Sequence, residues 1–216
     1  MQKFRAVIFD MDGLLLDSEK LALEAFRATC SKFNLGDLTH VFLRCIGTNT
    51  ELGNSILKQG LQGVMDHEQF GLEWYDAFTR LTLGKPFPLK EGVENLLAHF
   101  QSVPMAVATS TKTDRAKVKL SDSGILQYFD MIIGGDQVSS SKPDPEIYRK
   151  AASELSVEPS VCLALEDSPN GVKSAVAAGM TVIQVPDLLS PDEELLRLGH
   201  IVLNSLTEVA GYDFRS

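Results

Sequence analysis

The residues with chemistry to offer stand where apolar runs stop. Residues 4–9 form a short aromatic and β-branched run, the pattern of a buried strand, which ends on Asp10, Met11, Asp12 and Gly13. Two carboxylates two residues apart cannot rest on a dry strand without cations or donors, so the strand must deliver them to a site at its carboxyl end. Three further runs end in the same way. Residues 105–108 are followed by Thr109, Ser110 and Lys112. Residues 131–134 are followed, after a short loop, by Lys142 in Ser141-Lys142-Pro143-Asp144-Pro145. Residues 161–165 are followed by Glu166 and Asp167.

These groups suit phosphoryl transfer. Phosphate monoesters hydrolyse very slowly unaided, and an enzyme needs a nucleophile, charge neutralisation and a proton carrier. Asp10 can attack phosphorus and become an aspartyl phosphate. Asp12 can serve as general acid/base, protonating the leaving oxygen and then deprotonating water. Mg²⁺, which takes oxygen ligands, would sit between Asp10 and Asp167, with the Asp12 backbone carbonyl and Glu166 as further ligands. Thr109 would hold phosphoryl oxygens, Ser110 and Lys112 would bind substrate, and Lys142 would offset the crowded negative charge and keep Asp10 ionised.

Each piece also has a plain structural account. Asp12-Gly13 makes a turn, and Thr109 or Ser110 caps a helix. Asp144-Pro145 and Ser168-Pro169 read as helix starts with proline at the first position. Glu166 and Asp167 are acids that a helix dipole favours. What those accounts leave unexplained is why all of these strand ends carry groups that complete one site.

The elements that must position these groups follow from the apolar periodicity. Asp17 and Ser18 are good N-cap residues, and Leu21, Ala22, Ala25, Phe26 and Thr29 recur at helical spacing. Helices are expected over 19–33, 37–45, 50–59 and 66–82, punctuated by Gly47, Gly60 and Gly63. Gly84-Lys85-Pro86-Phe87-Pro88 then reads as a stiff return crossing. From Glu91 the pattern alternates: helices 92–100, 113–122, 145–155 and 170–178 between strands 105–108, 131–134, 161–165 and 181–185, with a last short strand at 200–203. Such alternation predicts an α/β fold, a doubly wound parallel sheet. The expected division is a Rossmann-like core of 1–16 plus 86–216, interrupted by an all-helical segment, 17–85.

Composition narrows the function classes. The 216 residues suffice for a sizeable core plus an insert, and 44% hydrophobic with 23% charged content is ordinary for a globular protein. No apolar run reaches the length of a membrane span, and no signal-peptide pattern opens the chain. Cys30, Cys45 and Cys162 form no paired framework and read as buried thiols of a reducing compartment, so a cytoplasmic location is expected. A net charge of −9 argues against nucleic-acid or membrane-surface partners. The expected partner is a small phosphorylated metabolite, with the chain a monomer or weak homo-oligomer.

Asp10-Met11-Asp12-Gly13, Thr109, Lys142-Pro143-Asp144-Pro145 and Glu166-Asp167-Ser168 with Gly171 resemble, in order, the motifs of the haloacid dehalogenase superfamily. The resemblance implies a Rossmann-like core, Mg²⁺ and an aspartyl-phosphate intermediate, and it likens the helical segment to the family's small cap. The run Gly13-Leu14-Leu15-Leu16-Asp17-Ser18-Glu19 is similar to the branch of sugar-phosphate phosphatases and β-phosphoglucomutase. The dehalogenases lack an acid at the position of Asp12, so its presence points to phosphoester work. Two departures stand out. Lys90-Glu91-Gly92 replaces a common proline-glycine, and Gly47-Thr48-Asn49-Thr50 lacks the cap arginine with which mutase relatives grip a second phosphate. Arg44 or Lys58 could take that place, and Asn49, Thr50 and Lys58 are candidate substrate contacts. The expected activity is a Mg²⁺-dependent phosphatase of a small phosphomonoester, a sugar phosphate or similar metabolite; the alternative is a phosphomutase of the β-phosphoglucomutase type.

Overall fold

A computed structural model describes residues 4–212. Its centre is a parallel sheet of six strands, β1 (Ala6–Phe9), β2 (Met105–Thr109), β3 (Met131–Gly134), β4 (Cys162–Glu166), β5 (Thr181–Gln184) and β6 (Ile201–Val202), in the order β3-β2-β1-β4-β5-β6. Every residue of β1, β2 and β4 is buried, which is why they read as continuous apolar runs rather than as alternating ones. The order reverses at β1, whose neighbours are β2 and β4. In doubly wound sheets that crevice, at the carboxyl ends of the strands, is where ligands bind.

The helices cover both faces. They are α1 (Ser18–Lys32), α2 (Thr39–Cys45), α3 (Thr50–Gly60), α4 (His67–Thr82), α5 (Val93–Phe100), α6 (Thr113–Asp122), α7 (Glu146–Glu154), α8 (Pro169–Ala177), α9 (Glu193–Leu196) and α10 (Leu206–Val209). The two-residue period of β1 splits its side chains. Val7 and Phe9 face α5, α6 and α10 in one hydrophobic cluster, and Ala6 and Ile8 face α7 and α8 in another. Helices α1 to α4, all between β1 and β2 in the chain, share a third cluster. Phe26 is its centre, with the rings of Phe70 and Trp74 each 5.2 Å away at steep angles. The Trp74 indole N–H donates to Ala22 O (3.0 Å) and ties α4 to α1.

The two crossings between this helical segment and the sheet run side by side. Asp17 N donates to Pro88 O (2.8 Å) and Lys90 N to Leu15 O (3.0 Å). Lys90 also pairs with Asp187 at 2.5 Å. Among the described residues no helix is long and apolar enough to cross a membrane. Cys30, Cys45 and Cys162 are free thiols.

Some local expectations need correction. Asp17 is the N-cap of α1 but makes no side-chain cap bond, and the Ser18 hydroxyl donates to Asp12 instead. Neither Thr109 nor Ser110 caps α6; Lys112 holds that position, without a side-chain bond. Pro145 rather than Asp144 is the N-cap of α7, while Asp144 Oδ1 accepts from Glu146 N (2.9 Å). Ser168 caps α8 as expected, accepting from Gly171 N (3.1 Å), with Pro169 following. The short helices α9 and α10 have no legible signature in the sequence, since a single turn carries too little periodicity to read.

Candidate active site

The register of the sheet assembles the site. Phe9 lies opposite Val107 on β2 and Leu165 on β4, so the next residues out, Asp10, Ala108 and Glu166, share one edge. Asp10 N still donates to Leu165 O (2.9 Å), so the ladder holds its backbone while its side chain leaves the sheet.

Lys142 is the buried cation of this edge, only 1% exposed. Its ammonium donates to Asp10 Oδ1 (2.6 Å), Glu166 Oε1 (2.5 Å) and Ala108 O (3.0 Å), which uses all its protons. The Tyr148 ring lies 5.1 Å from Nζ, and its hydroxyl donates to Glu166 Oε1 (2.8 Å). The second Glu166 oxygen accepts from Asp167 N (3.0 Å), Ser168 N (3.1 Å) and Ser168 Oγ (3.1 Å). Glu166 thus spends its acceptors on the protein.

Asp167 does not. Its Oδ1 is buried without a hydrogen-bond partner. Asp10, Glu166 and Asp167 each offer an oxygen, and these oxygens lie within 4.8 Å of one another. Three buried carboxylates against one ammonium leave negative charge that a dry edge does not tolerate. A hard divalent cation with oxygen ligands fits that deficit. Two glycines make room for the cradle. Gly13 has φ +89°, and a Cβ there would strike the Asp167 carboxylate. A Cβ on Gly171 would strike the carboxylate of Glu166.

The charges respond to this crowding. Burial pushes the Asp10 carboxyl up to about 7, with Lys142 pulling it down and Glu166 pushing it up. Burial, then the charges of Glu166 and Asp10, raises Asp167 well above the carboxylate range. Burial would lower Lys142, but the charges of Asp10 and Glu166 outweigh it and raise the ammonium above its ordinary value. Asp12 differs. Its Oδ1 accepts from Ser18 Oγ (2.6 Å) and Lys119 Nζ (2.6 Å), and its Oδ2 from Thr111 Oγ1 (2.7 Å). Burial alone would raise this carboxyl, but the charge of Lys119 and these bonds hold it below its ordinary value. The resting Asp12 is therefore an ionised, held base.

A cavity of about 440 Å³ lies over these groups, between the sheet edge and α1 to α4. Asp10, Asp12, Thr109, Ser110, Lys112 and Asp167 line it from the sheet side, and Asn49 and Thr50 from α3. Thr109 Oγ1 accepts from Thr111 N (3.1 Å), which leaves its own proton to donate. Ser110 Oγ donates to Gly47 O (3.2 Å) and so links the sheet edge to the helical segment. Asn49 caps α3 through Leu52 N (2.9 Å). Lys58 does not line the cavity. The face of α3 that does is Thr50, Gly53, Asn54 and Leu57, and Lys58 lies one position round from it, in solvent. Arg44 is also outside, donating to Gln59 Oε1 (3.2 Å).

Residues not foreseen from the motifs are Thr111, Lys119, Tyr148, Glu19 and Arg115. Glu19 faces the cavity, and burial, then the charge of Asp12, pushes its carboxyl up to about 8. Lys112, Arg115 and Lys119 all line the cavity. Their spacing of three and four puts them on one face of a helix that leaves a strand end, a signal present in the sequence. Tyr148 carried no such signal, because its position on α7 reads as core.

Known proteins resemble this chain throughout. The family model of haloacid dehalogenase-like hydrolases matches residues 7–185. A phosphorylated carbohydrates phosphatase from Thermotoga maritima is 33% identical, covering 94% of this chain and 95% of that protein. A validoxylamine A 7'-phosphate phosphatase from Streptomyces hygroscopicus subsp. limoneus is 40% identical, covering 95% and 96%. A crystal structure of mutant CbbY from Rhodobacter sphaeroides in complex with xylulose-(1,5)bisphosphate superposes with TM-score 0.74 at 28% identity, over 95% of this chain and 96% of that one.

Proposed function

The chain belongs to the haloacid dehalogenase-like hydrolases and is a phosphoric monoester hydrolase, and from that premise we propose that it is a Mg²⁺-dependent phosphatase of a small phosphorylated carbohydrate or similar metabolite, working through an aspartyl phosphate on Asp10. The observation that carries this reading is the cluster of Asp10, Glu166 and Asp167 around one buried lysine, with an unpartnered oxygen on Asp167.

Asp10 would attack phosphorus as the bond to the leaving oxygen breaks. Asp12 would give that oxygen a proton. Because Asp12 rests ionised, the proton arrives with the monoester, whose second ionisation lies near pH 6. In the second half, Asp12 would take a proton from water as water attacks phosphorus and the bond to Asp10 breaks. Asp12 would then return that proton to the phosphate, which leaves, and be ionised again for the next turnover. Lys142 would keep Asp10 ionised and aimed, while Thr109, Ser110 and Lys112 would hold phosphoryl oxygens. Mg²⁺ would be held by Asp10, Asp167 and the Asp12 carbonyl, and when bound it neutralises charge on the phosphoryl group. Glu166, saturated by Lys142, Tyr148 and the Asp167–Ser168 backbone, would brace these ligands rather than bind directly.

The helical segment, 17–85, would act as a cap domain on a core of 1–16 plus 86–216, excluding water and selecting the leaving group. The absence of an arginine among the cavity residues of α2 and α3 favours a phosphatase over a mutase. The test is phosphate release from a panel of sugar phosphates and nucleotides, with Mg²⁺ and with EDTA. Release from one compound class, lost in EDTA, is expected. Conversion of a hexose phosphate to its isomer with no net release would establish the mutase instead.

A further inference from the structure

The cavity over Asp10 does not end at the catalytic groups. A second one, of about 610 Å³, adjoins it between α4 and α6. Ala22, Trp74, Phe78, Thr111, Arg115 and Lys119 line both, so the two cavities meet along these side chains. Past this junction the apolar side chains Tyr75, Leu83 and Val118 line it together with Thr79, Thr82 and Asp114. Tyr75, Leu83 and Val118 are 51%, 77% and 59% exposed, among the large hydrophobic side chains that the described residues leave bare. Contiguous apolar surface of this kind, beside a reaction site, marks a binding groove.

The two chambers differ in chemistry. The inner one carries hydroxyl and amide groups, Thr48, Asn49, Thr50 and Asn54, suited to a hydroxyl-rich ring next to the phosphoryl group. The outer one has aromatic rings on its α4 side alone, and polar groups among its lining: Thr79, Thr82, Asp114 and Arg115. The Arg115 guanidinium lies over the Tyr75 ring, 5.4 Å from its centroid, and so ties α6 to α4 across the groove.

We infer that the substrate is a phosphomonoester whose leaving group has two rings, the second being a polyhydroxylated ring laid against Tyr75 in the groove between α4 and α6. Such a ring has a C–H face for an aromatic wall and a rim of hydroxyls for Asp114, Arg115 and the threonines. A flat nucleobase would present two apolar faces to a groove with an aromatic wall on one side. A single sugar phosphate would leave the larger chamber empty. This inference rests on the phosphatase reading above.

The experiment compares kcat/KM for trehalose phosphate, glucose phosphate and adenosine monophosphate. The wild-type chain should favour trehalose phosphate over glucose phosphate at least about tenfold, one ring contact's worth. Tyr75→Ser should bring that ratio close to unity, and Tyr75→Phe should keep it; Tyr75 is half exposed, so neither change threatens folding. Equal or better use of glucose phosphate, a preference for adenosine monophosphate, or a ratio unmoved in Tyr75→Ser would overturn the inference while leaving the phosphatase reading intact. Release from none of these or any other monoester would overturn both.

Discussion

Lys142 Nζ lies 2.6 Å from Asp10 Oδ1, and both groups are buried. The chain separates them by 132 residues, so the contact exists only because β1 and the loop after β3 meet at one edge of the sheet. The same ammonium holds Glu166, so one cation sets the charge balance of the whole cluster.

Replacing Lys142 with Met should therefore damage stability and turnover together. Removing one partner of a buried ion pair costs about 3–5 kcal/mol, because the other charges stay buried. Phosphate release should fall at least about 100-fold, the scale of losing one preorganised charge at a reacting centre. Urea unfolding and steady-state kinetics on the folded fraction check the two effects. Wild-type values in either would contradict the role given to Lys142.

Lys119→Met addresses Asp12. With Lys119 gone, Ser18 and Thr111 still hold the carboxylate, but the charge that keeps it below its ordinary value is lost. The acid limb of the pH–rate profile should move to higher pH, and the rate should fall about tenfold. An unmoved limb would separate Lys119 from the chemistry.

The metal-free protein should lose stability as pH rises. Burial lifts Asp10 from 3.8 to about 7 and Glu19 from 4.5 to about 8. A carboxyl raised on folding stabilises fully below its unfolded value and loses that contribution as pH climbs through the folded one. The expected decline in EDTA runs from about pH 4 to about pH 8. Asp12, held low, has the opposite sign, and its contribution is lost only on acidification. Mg²⁺, by favouring ionised Asp10 and Asp167, should stabilise more at higher pH. Thermal melts with and without Mg²⁺ decide this; stability in EDTA that is flat or rising over the range would contradict the charge assignment.

Much of this arrangement follows from residues close in sequence. The strand β1 and the acids after it are adjacent, so one apolar run reveals both. Lys142 and Asp167 follow their own strands in the same way, and a parallel sheet turns strand ends into one edge. What the sequence leaves obscure is chosen by tertiary contact. Ser18 is a good helix cap by type, yet Asp12 takes its hydroxyl. Lys58 is a plausible phosphate contact by charge, yet the rotation of α3 turns it to solvent. Tyr148 and Glu166 meet because α7 packs on the sheet, and neither residue announces the other.

The central claim is that Asp10 is the nucleophile. The most direct measurement is phosphate release by Asp10→Asn beside the wild type, with Mg²⁺ and the best monoester of the panel. The substitution keeps the size of the side chain and an acceptor for Lys142, so the fold should persist. The account predicts a loss of at least about 1,000-fold. A variant that is folded and releases phosphate within about tenfold of the wild-type rate would contradict it.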